Sequence, residues 1–213
     1  MKNKLNVLVA CEFSGVVRDK FKNLGHNAYS CDLQPSITPS DYHYQCDIFE
    51  VIDNYDWDLL IAHPPCTYLA NSGVRWLYNK DKSLNQERFN LMQKASQFFI
   101  KLYDLNIPHM CIENPIMHKH AKEIIKIEKT QIIQPWMFGH TESKATCLWL
   151  KNLPPLQETN NVKEKMLKLP INQRNKIHYM SPSRERSNLR SITYNGIAIA
   201  MADQWSQYIL NNR

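Results

Sequence analysis

A short apolar run that stops at two prolines constrains the fold of this chain more than any other part of its sequence. Residues 59–62 are continuous and uncharged, which is typical of a strand buried on both faces of a parallel sheet. Pro65 fixes its own φ and keeps Pro64 out of the helical region, so the chain must leave the sheet extended. Cys66 is therefore predicted at the carboxyl end of a central strand, where open α/β sheets bind ligands. A cysteine that only packs the core is the alternative interpretation.

Strands and amphipathic helices alternate along most of the chain. This alternation predicts an α/β, Rossmann-like fold with a mostly parallel central sheet and helices on both faces. At 213 residues, the chain is expected to form a single domain, residues 1–213. The predicted strands span residues 5–11, 27–31, 42–46, 59–62, 108–112, 130–134 and 145–150, and the predicted helices span residues 16–24, 85–105, 116–127 and 196–210.

Two segments lack helical or strand periodicity. Residues 67–84 are polar with several aromatic side chains, and a loop of this length suggests a lid or a substrate-binding loop. Residues 151–190 are rich in proline, asparagine and charge and are expected to be irregular. The net charge is +6, and eight cations against two glutamates lie between residues 163 and 190. This basic run indicates either a solvated surface or contacts with phosphate.

The sequence also limits the class of protein. Its six cysteines lie far apart with no C-x-x-C pair, which favours reduced thiols over disulfides or a zinc site. No apolar run approaches the roughly 18 residues of a membrane span, and we expect neither a signal peptide nor a membrane partner, hence a cytoplasmic location. His109, His118 and His120 lack the spacing of a helical metal motif, so they are expected at the surface and no metal site is predicted.

Acidic residues close three of the predicted strands: Asp32, Asp47 and Glu113. A carboxylate after the second strand can bind a ribose hydroxyl, and one after the third can accept from an adenine amino group. The turn after the first strand has a single glycine, Gly15, and no Gly-Lys-Ser/Thr sequence, so it does not match a nucleotide-phosphate loop. These features favour an adenosyl cofactor without a pyrophosphate.

Together these residues resemble the cytosine-5 DNA methyltransferases over most of residues 5–150. Residues 194–198 show a weaker similarity to the family's last motif. The compact size and the sequence of residues 135–150 look like those of small methyltransferase-like proteins of bacteriophages and prophages. This second resemblance implies a bacterial host cell. Five segments carry the main resemblance: Phe13-Ser14-Gly15, Asp32, Asp47-Ile48, Pro64-Pro65-Cys66 and Ile112-Glu113-Asn114. Pro64-Pro65-Cys66 is similar to the family's Pro-Cys, and Ile112-Glu113-Asn114 looks like its Glu-Asn-Val.

The resemblance implies the fold of S-adenosylmethionine-dependent methyltransferases, with S-adenosylmethionine as the cofactor and DNA as a partner recognised with low sequence specificity. It implies Cys66 as the nucleophile and Glu113 as the residue that engages the target base, with Lys144 as a cation beside the base carbonyl. The residues that it assigns to the cofactor are Glu12, Phe13, Ser14, Gly15, Asp32, Leu33, Asp47, Ile48 and Pro64, and those that it assigns to the substrate are Pro65, Asn71, Arg75 and Asn114.

The residue types suit this chemistry. Cytosine C5 is a poor nucleophile until a group adds to C6, and a thiolate adds readily. A carboxyl group that holds or protonates N3 stabilises the charge released by that attack. In a duplex the base must first be flipped out of the stack, and Arg75, Trp76 and Tyr78 could close over it or fill the gap. A packed loop with no such role is the alternative for these three residues.

The chain departs from the family's pattern at several positions. His63 stands where the family usually has glycine, Thr67 stands where it has glutamine, and Pro115 stands where it has valine. The family's Gln-x-Arg-x-Arg segment is not visible. Only residues 151–190 are available where the family carries a long target-recognition region, so sequence-specific recognition of DNA is not expected.

Other functions stay open. The same chemistry could act on a free pyrimidine nucleotide or on RNA. Transfer to an exocyclic amino group fits less well, because those enzymes place an aromatic residue where this chain has Cys66. A non-enzymatic alternative is a degenerate fold that binds DNA or a protein as a phage factor. The sequence does not determine the oligomeric state.

Overall fold

A seven-stranded sheet forms the centre of the computed structural model, which describes residues 4–181 and 183–213. The strand order is β3-β2-β1-β4-β5-β7-β6, and β7 runs antiparallel to both of its neighbours whereas β1 to β5 pair in parallel. The strands are β1 Asn6–Ala10, β2 Asn27–Cys31, β3 His43–Tyr44, β4 Leu59–Ala62, β5 His109–Pro115, β6 Gln131–Ile133 and β7 Thr146–Lys151.

Order 3-2-1-4-5 is that of a doubly wound, Rossmann-like sheet, and the direction of strand addition reverses between β1 and β4. Ligands of such sheets bind at the carboxyl ends of the strands beside this reversal. The helices are α1 Val16–Asn23, α2 Ile48–Val51, α3 Gln86–Tyr103, α4 Lys119–Ile125, α5 Lys163–Leu167, α6 Ile171–Arg174, α7 Lys176–Tyr179, α8 Arg184–Ser191 and α9 Asn195–Asn211, with 3-10 helices at Asn71–Leu77 and Pro135–Met137.

Alternate side chains of β1 enter two separate apolar layers. Val7 and Val9 pack in one layer with residues of α1 and α9, and Leu8 and Ala10 pack in the other with residues of α2, α3 and α4. Strand β4 divides in the same way, and all four of its residues are buried. The predicted α/β fold with a mostly parallel sheet and helices on both faces is therefore confirmed.

Short helices occupy both segments that lack periodicity in the sequence. The 3-10 helix Asn71–Leu77 lies inside the polar segment 67–84, and α5 to α8 lie in residues 151–190, which we expected to be irregular. Helices α5, α6 and α7 have only four or five residues each, too few for a hydrophobic period to appear. The third strand is also shorter than expected, because only His43–Tyr44 pairs with β2.

Gly196, in the first turn of α9, lies against the backbone of Phe138. A Cβ at this position would overlap the Phe138 carbonyl oxygen, and the Gly196 amide donates to His140 Nε2 at 2.9 Å. We expect Gly196→Ala to lower the free energy of unfolding by about 1–3 kcal/mol, because main chain rather than a side-chain end must move. Denaturant unfolding measures this, with the exposed neighbour Asn195→Ala as the control. Equal stability of the two variants would contradict the close approach.

Candidate active site

The turn Pro64-Pro65-Cys66 is held in place by neighbouring strands. The His63 amide donates to the Ala10 carbonyl at 2.9 Å, which extends the pairing of β4 with β1. Asn114 Nδ2 donates to the Pro64 carbonyl at 2.9 Å, and the Cys66 carbonyl accepts two amides of the following turn, at 2.9 and 3.0 Å. Cys66 therefore lies at the carboxyl end of a central strand, and Asn114 uses its amide nitrogen to fix the turn.

Glu113 lies on the adjacent strand β5, one residue beyond the pair formed by Ala62 and Ile112. His63 Nδ1 lies 2.8 Å from Glu113 Oε2. The His63 side chain is 7% exposed and that of Glu113 is 13% exposed, so water reaches little of this contact. Consecutive parallel strands thus bring a thiol, a carboxylate and an imidazole to one edge of the sheet.

Lys144 and Arg190 add positive charge to this edge. The Lys144 amide donates to Gln134 Oε1 at 3.0 Å, and Lys144 Nζ donates to the Arg190 carbonyl at 2.7 Å. This second bond ties the last turn of α8 to the segment before β7. The charges of Lys144 and Arg190 both act on Cys66, although 46 residues separate the two cations in the sequence.

The pKa of the Cys66 thiol is raised, whereas the pKa of the Glu113 carboxyl group is lowered. Burial raises the pKa of Cys66 and the charge of Glu113 adds to this, whereas Arg190 and Lys144 oppose it. Burial alone would raise the pKa of Glu113, but the hydrogen bond from His63 and the charges of Lys144 and His63 outweigh burial, and the pKa of Glu113 is lowered. At neutral pH the thiol is therefore protonated and Glu113 is a carboxylate.

Alkylation of Cys66 by iodoacetamide is expected to be slow at pH 7 and to accelerate as the pH rises, because the thiolate is the reacting form. Arg190→Gln should slow the reaction at a fixed pH by roughly 3–10-fold, because the loss of this charge raises the pKa of the Cys66 thiol further. Peptide mass spectrometry measures the rate, and Lys101→Gln, an exposed change on α3, is the control. An unchanged rate in Arg190→Gln would contradict the placement of its charge.

The resemblance assigns Glu12 to the cofactor, but in the structure its side chain is buried and accepts backbone amides at the start of α1. Its carboxylate accepts the Val17 amide at 2.7 Å, the Arg18 amide at 3.2 Å and the Ser14 hydroxyl at 3.2 Å. Glu12 is 4% exposed, and burial raises its pKa although the charge of His63 opposes this. Both carboxylate oxygens of Glu12 are thus engaged at the start of the helix.

Phe13 and Gly15 shape the same turn. Gly15 has a φ of 72°, in the left-handed region that favours glycine, and an added Cβ would overlap the Arg18 guanidinium. Arg18 is 2% exposed and donates from Nη1 to Ser30 Oγ at 2.9 Å. The buried Phe13 offers its carbonyl to the Ile37 amide at 2.9 Å. The space beside Gly15 is therefore filled by Arg18.

Asp32 and Asp47 lie at the carboxyl edge in different settings. Asp32 is half-buried, accepts the Gln34 amide at 2.8 Å through Oδ1, and has its pKa raised by burial. Asp47 is exposed and begins α2, accepting the Phe49 amide at 3.0 Å in a capping box with Glu50. Asp32 is thus the better placed of the two to bind a ligand in the crevice.

The residues next to these carboxylates also differ in environment. Leu33 is 73% exposed, whereas Ile48 is 4% exposed and packs in the core. Cys11, which follows β1 and would be a core thiol by default, is partly exposed and has a φ of 56°. Burial and then the charge of Asp32 raise the pKa of Cys11. Cys11 therefore belongs to the same edge of the sheet as Asp32.

The segment after Cys66 is anchored to α3 and to the start of α4. Arg88 donates from Nη2 to the Thr67 carbonyl at 2.9 Å, and His118 Nε2 lies 2.9 Å from the Tyr68 carbonyl. His118 is 2% exposed, so the expectation of a surface histidine is wrong there. The buried ring both holds this segment and accepts the Ala121 amide that starts α4.

The predicted substrate residues divide by exposure. Pro65, Asn71 and Arg75 are exposed, whereas Asn114 is buried. The Arg75 guanidinium lies 4.6 Å from the ring centre of Trp76, which is 56% exposed. Both side chains of this pair therefore face solvent.

The sequence does not identify the partners of two residues at this site. His63 stands where the family usually has glycine, which indicates either tuning of the thiolate or a different substrate, and its contact with Glu113 joins residues that are 50 positions apart. In the sequence, Arg190 belongs to the basic run 163–190. No sequence signal places Arg190 near Cys66, because the contact of α8 with Lys144 joins segments that are 46 residues apart.

Residues 4–181 and 183–213 contain no group of three or more His, Cys, Asp or Glu side chains that could hold a metal ion. Within the same ranges, no helix has both the length and the apolar character that crossing a membrane requires.

Comparisons with known proteins find similarity in structure only. No protein-family model matches the sequence, and a search of curated proteins finds no relative. One similar solved structure is a protein described as a DNA modification methyltransferase encoded within an E. coli prophage, with 15% identity and a TM-score of 0.42, over 79% of this chain and 56% of that one. A second is the Entamoeba histolytica methyltransferase EhMeth, with 16% identity and a TM-score of 0.43, over 74% of this chain and 57% of that one.

A third is the S. pombe Dnmt2 methyltransferase, with 17% identity and a TM-score of 0.42, over 87% of this chain and 62% of that one. This chain thus spans 56–62% of the length of the three proteins. At identities of 15–17% and TM-scores of 0.42–0.43, these similarities do not establish an activity for this chain.

Proposed function

We propose that this chain is an S-adenosylmethionine-dependent methyltransferase that acts on cytosine C5 of DNA through a covalent bond to Cys66. The observation that carries the proposal is the meeting of Cys66 and Glu113 at the ends of adjacent strands, with the charges of Lys144 and Arg190 acting on the thiol. A core cysteine would need neither a carboxylate on the next strand nor two cations brought from distant segments.

The roles of the residues follow from their chemistry. The Cys66 thiolate would form a bond to C6 of the cytosine, and the two cations favour the thiolate over the thiol. Glu113 would hold N3 and the exocyclic amino group, so that the charge released by the attack is stabilised at N3. Once C5 carries the methyl group, the C5 proton would pass to water and the bond between C6 and sulfur would break with its electron pair returning to sulfur, which regenerates the Cys66 thiolate.

The carboxylate of Asp32 favours the binding of an adenosyl cofactor at the carboxyl ends of β1 and β2. Its Oδ1 accepts the Gln34 amide, which leaves Oδ2 as an acceptor for a ribose hydroxyl. The buried hydroxyl of Ser36, on the loop after β2, has no hydrogen-bond partner among the described residues and offers a further polar group. When bound, S-adenosylmethionine would supply the methyl group. Glu12 and Ile48 would support this site indirectly, since one starts α1 and the other packs the core.

Base stacking and positive charge favour a nucleic acid as the acceptor. The Arg75 and Trp76 pair is exposed on the 3-10 helix that follows the Cys66 turn in the chain, and exposed aromatic rings stack with bases that leave a helix. The basic segment 163–190 reaches the site through Arg190. A free pyrimidine nucleotide is the second candidate, because the segment between β7 and α9 is only about forty residues long and contains short helices.

Methyl transfer from labelled S-adenosylmethionine tests the proposal. The purified chain is incubated with DNA, RNA or deoxycytidine nucleotides, and the nucleosides are separated and identified by mass spectrometry. We expect 5-methylcytosine in DNA. Methyl transfer to none of the three acceptors would overturn the proposal, and calorimetry with the cofactor would then distinguish an inactive cofactor-binding fold from a protein that does not bind it.

A further inference from the structure

The contact between His63 and Glu113 is largely shielded from water. Nδ1 and Oε2 lie 2.8 Å apart, and both side chains are largely buried. The His63 backbone is fixed by its bond to the Ala10 carbonyl, and Glu113 is fixed in the pairing of β5 with β7. Two rigid strands therefore set this distance, and neither side chain can leave the contact without opening buried space.

The other ring nitrogen of His63 is also buried. Nε2 has no hydrogen-bond partner among the described residues. A buried imidazole nitrogen without a partner is costly, so an apolar side chain would fill this space at less cost. Two carboxylates face His63: Glu12 from the turn after β1 and Asp32 from the end of β2. The groups that face Glu113 are Cys66 from the turn after β4, Cys111 from β5, Lys144 from the segment before β7 and Cys147 from β7.

We propose that His63 is a positioning residue for Glu113, which it holds as a carboxylate and supplies with the proton that Glu113 passes to N3 of the acceptor base. This inference rests on the proposed function. Glu113 alone is a carboxylate in this site and has no proton to give, so the proton must come from a neighbour. His63 is the titratable side chain in hydrogen-bond contact with Glu113 among the described residues.

The proton step balances within the pair and the base. The bond between Nδ1 of the imidazolium and its proton breaks, the electron pair stays on Nδ1, and the proton reaches the carboxyl group of Glu113. The carboxyl group gives a proton to N3 as sulfur adds to C6. Glu113 starts and ends as a carboxylate, and His63 ends neutral with its remaining proton on Nε2. The proton returns by the same route when the bond between sulfur and C6 breaks.

The pH profile of single-turnover methyl transfer tests this role. The wild-type rate should rise with pH as Cys66 ionises and fall again at higher pH, where Glu113 can no longer be supplied with a proton. His63→Asn keeps an N–H near the position of Nδ1 but cannot carry the proton, so we expect a rate about 100-fold lower and no falling limb. His26→Asn, at a buried histidine bonded to the Leu5 amide, is the control and should keep both limbs.

Wild-type rates in His63→Asn, or a falling limb that persists in it, would overturn the inference. A second measurement does not depend on activity. The carboxyl signal of Glu113 is followed by 13C NMR during a pH titration, with Glu113→Gln used for assignment. We expect the pKa of Glu113 to rise in His63→Asn and to rise further in His63→Gly, because the hydrogen bond and the charge of His63 both lower it.

An unchanged Glu113 titration in His63→Gly would overturn the pairing itself. The two measurements also separate the two proposals. If the wild-type chain transfers no methyl group, the proposed function fails and the proton role of His63 fails with it, whereas the NMR titration still decides whether His63 sets the state of Glu113.

Discussion

Replacing Cys66 with serine is expected to lower methyl transfer by at least about 1,000-fold, the scale seen when a covalent nucleophile is removed. Serine keeps the size of the side chain but is a far weaker nucleophile, because its hydroxyl is not ionised near neutral pH. The turn itself should remain, since the bonds from His63 to Ala10 and from Asn114 to Pro64 do not involve the thiol. Methyl transfer to DNA under single-turnover conditions measures the loss.

A trapping experiment isolates the chemical step. In 5-fluorocytosine, fluorine replaces the C5 proton and cannot be lost as that proton is. An oligonucleotide with 5-fluorocytosine should therefore stay bonded to the wild-type chain in the presence of the cofactor. Cys66→Ser should form no such adduct in mass spectrometry, and Cys46→Ser, at another partly exposed thiol, should still form it. A Cys66→Ser variant that keeps more than about a tenth of the wild-type rate would exclude Cys66 as the nucleophile.

Changing Glu113 to glutamine is expected to lower methyl transfer by about 100- to 10,000-fold, the range for the loss of a group that handles a proton in the transition state. Glutamine preserves the shape of the side chain but removes the charge that His63 and Lys144 stabilise. Binding of the cofactor, measured by calorimetry, should be unchanged. The exposed Glu123→Gln on α4 is the control, and an equal rate in both variants would contradict a role for Glu113.

The same change has a consequence for stability at acid pH. Since the pKa of Glu113 is lowered from the ordinary value of 4.5, its carboxylate stabilises the wild-type fold above that value. This contribution is lost as the pH falls below 4.5 through the folded-state pKa. Glu113→Gln should therefore lose less stability than the wild type between neutral pH and that acid range, as thermal unfolding at a series of pH values would measure.

Sequence patterns are sufficient to predict the features that depend on a single strand or helix. The continuous apolar run of β4, followed by Pro64 and Pro65, requires a buried strand that ends in an extended turn, so the place of Cys66 could be predicted. Asp32 after β2 and Glu113, which lies in β5 just beyond its last pair with β4, could be placed at the same edge, because parallel strands align their carboxyl ends. The helices α5 to α7 could not be predicted, because elements of four or five residues carry no measurable period.

The sequence by itself determined the order of strands and helices, hence the class of sheet and the edge at which Cys66, Asp32 and Glu113 meet. Only the tertiary structure decided the partners of these groups. It put His63 against Glu113, turned Glu12 toward the start of α1, and brought Arg190 to the thiol through Lys144. The physical reason is range: hydrophobic periodicity and proline geometry act within one element, whereas hydrogen bonds and charge effects depend on distances between elements that meet only after folding.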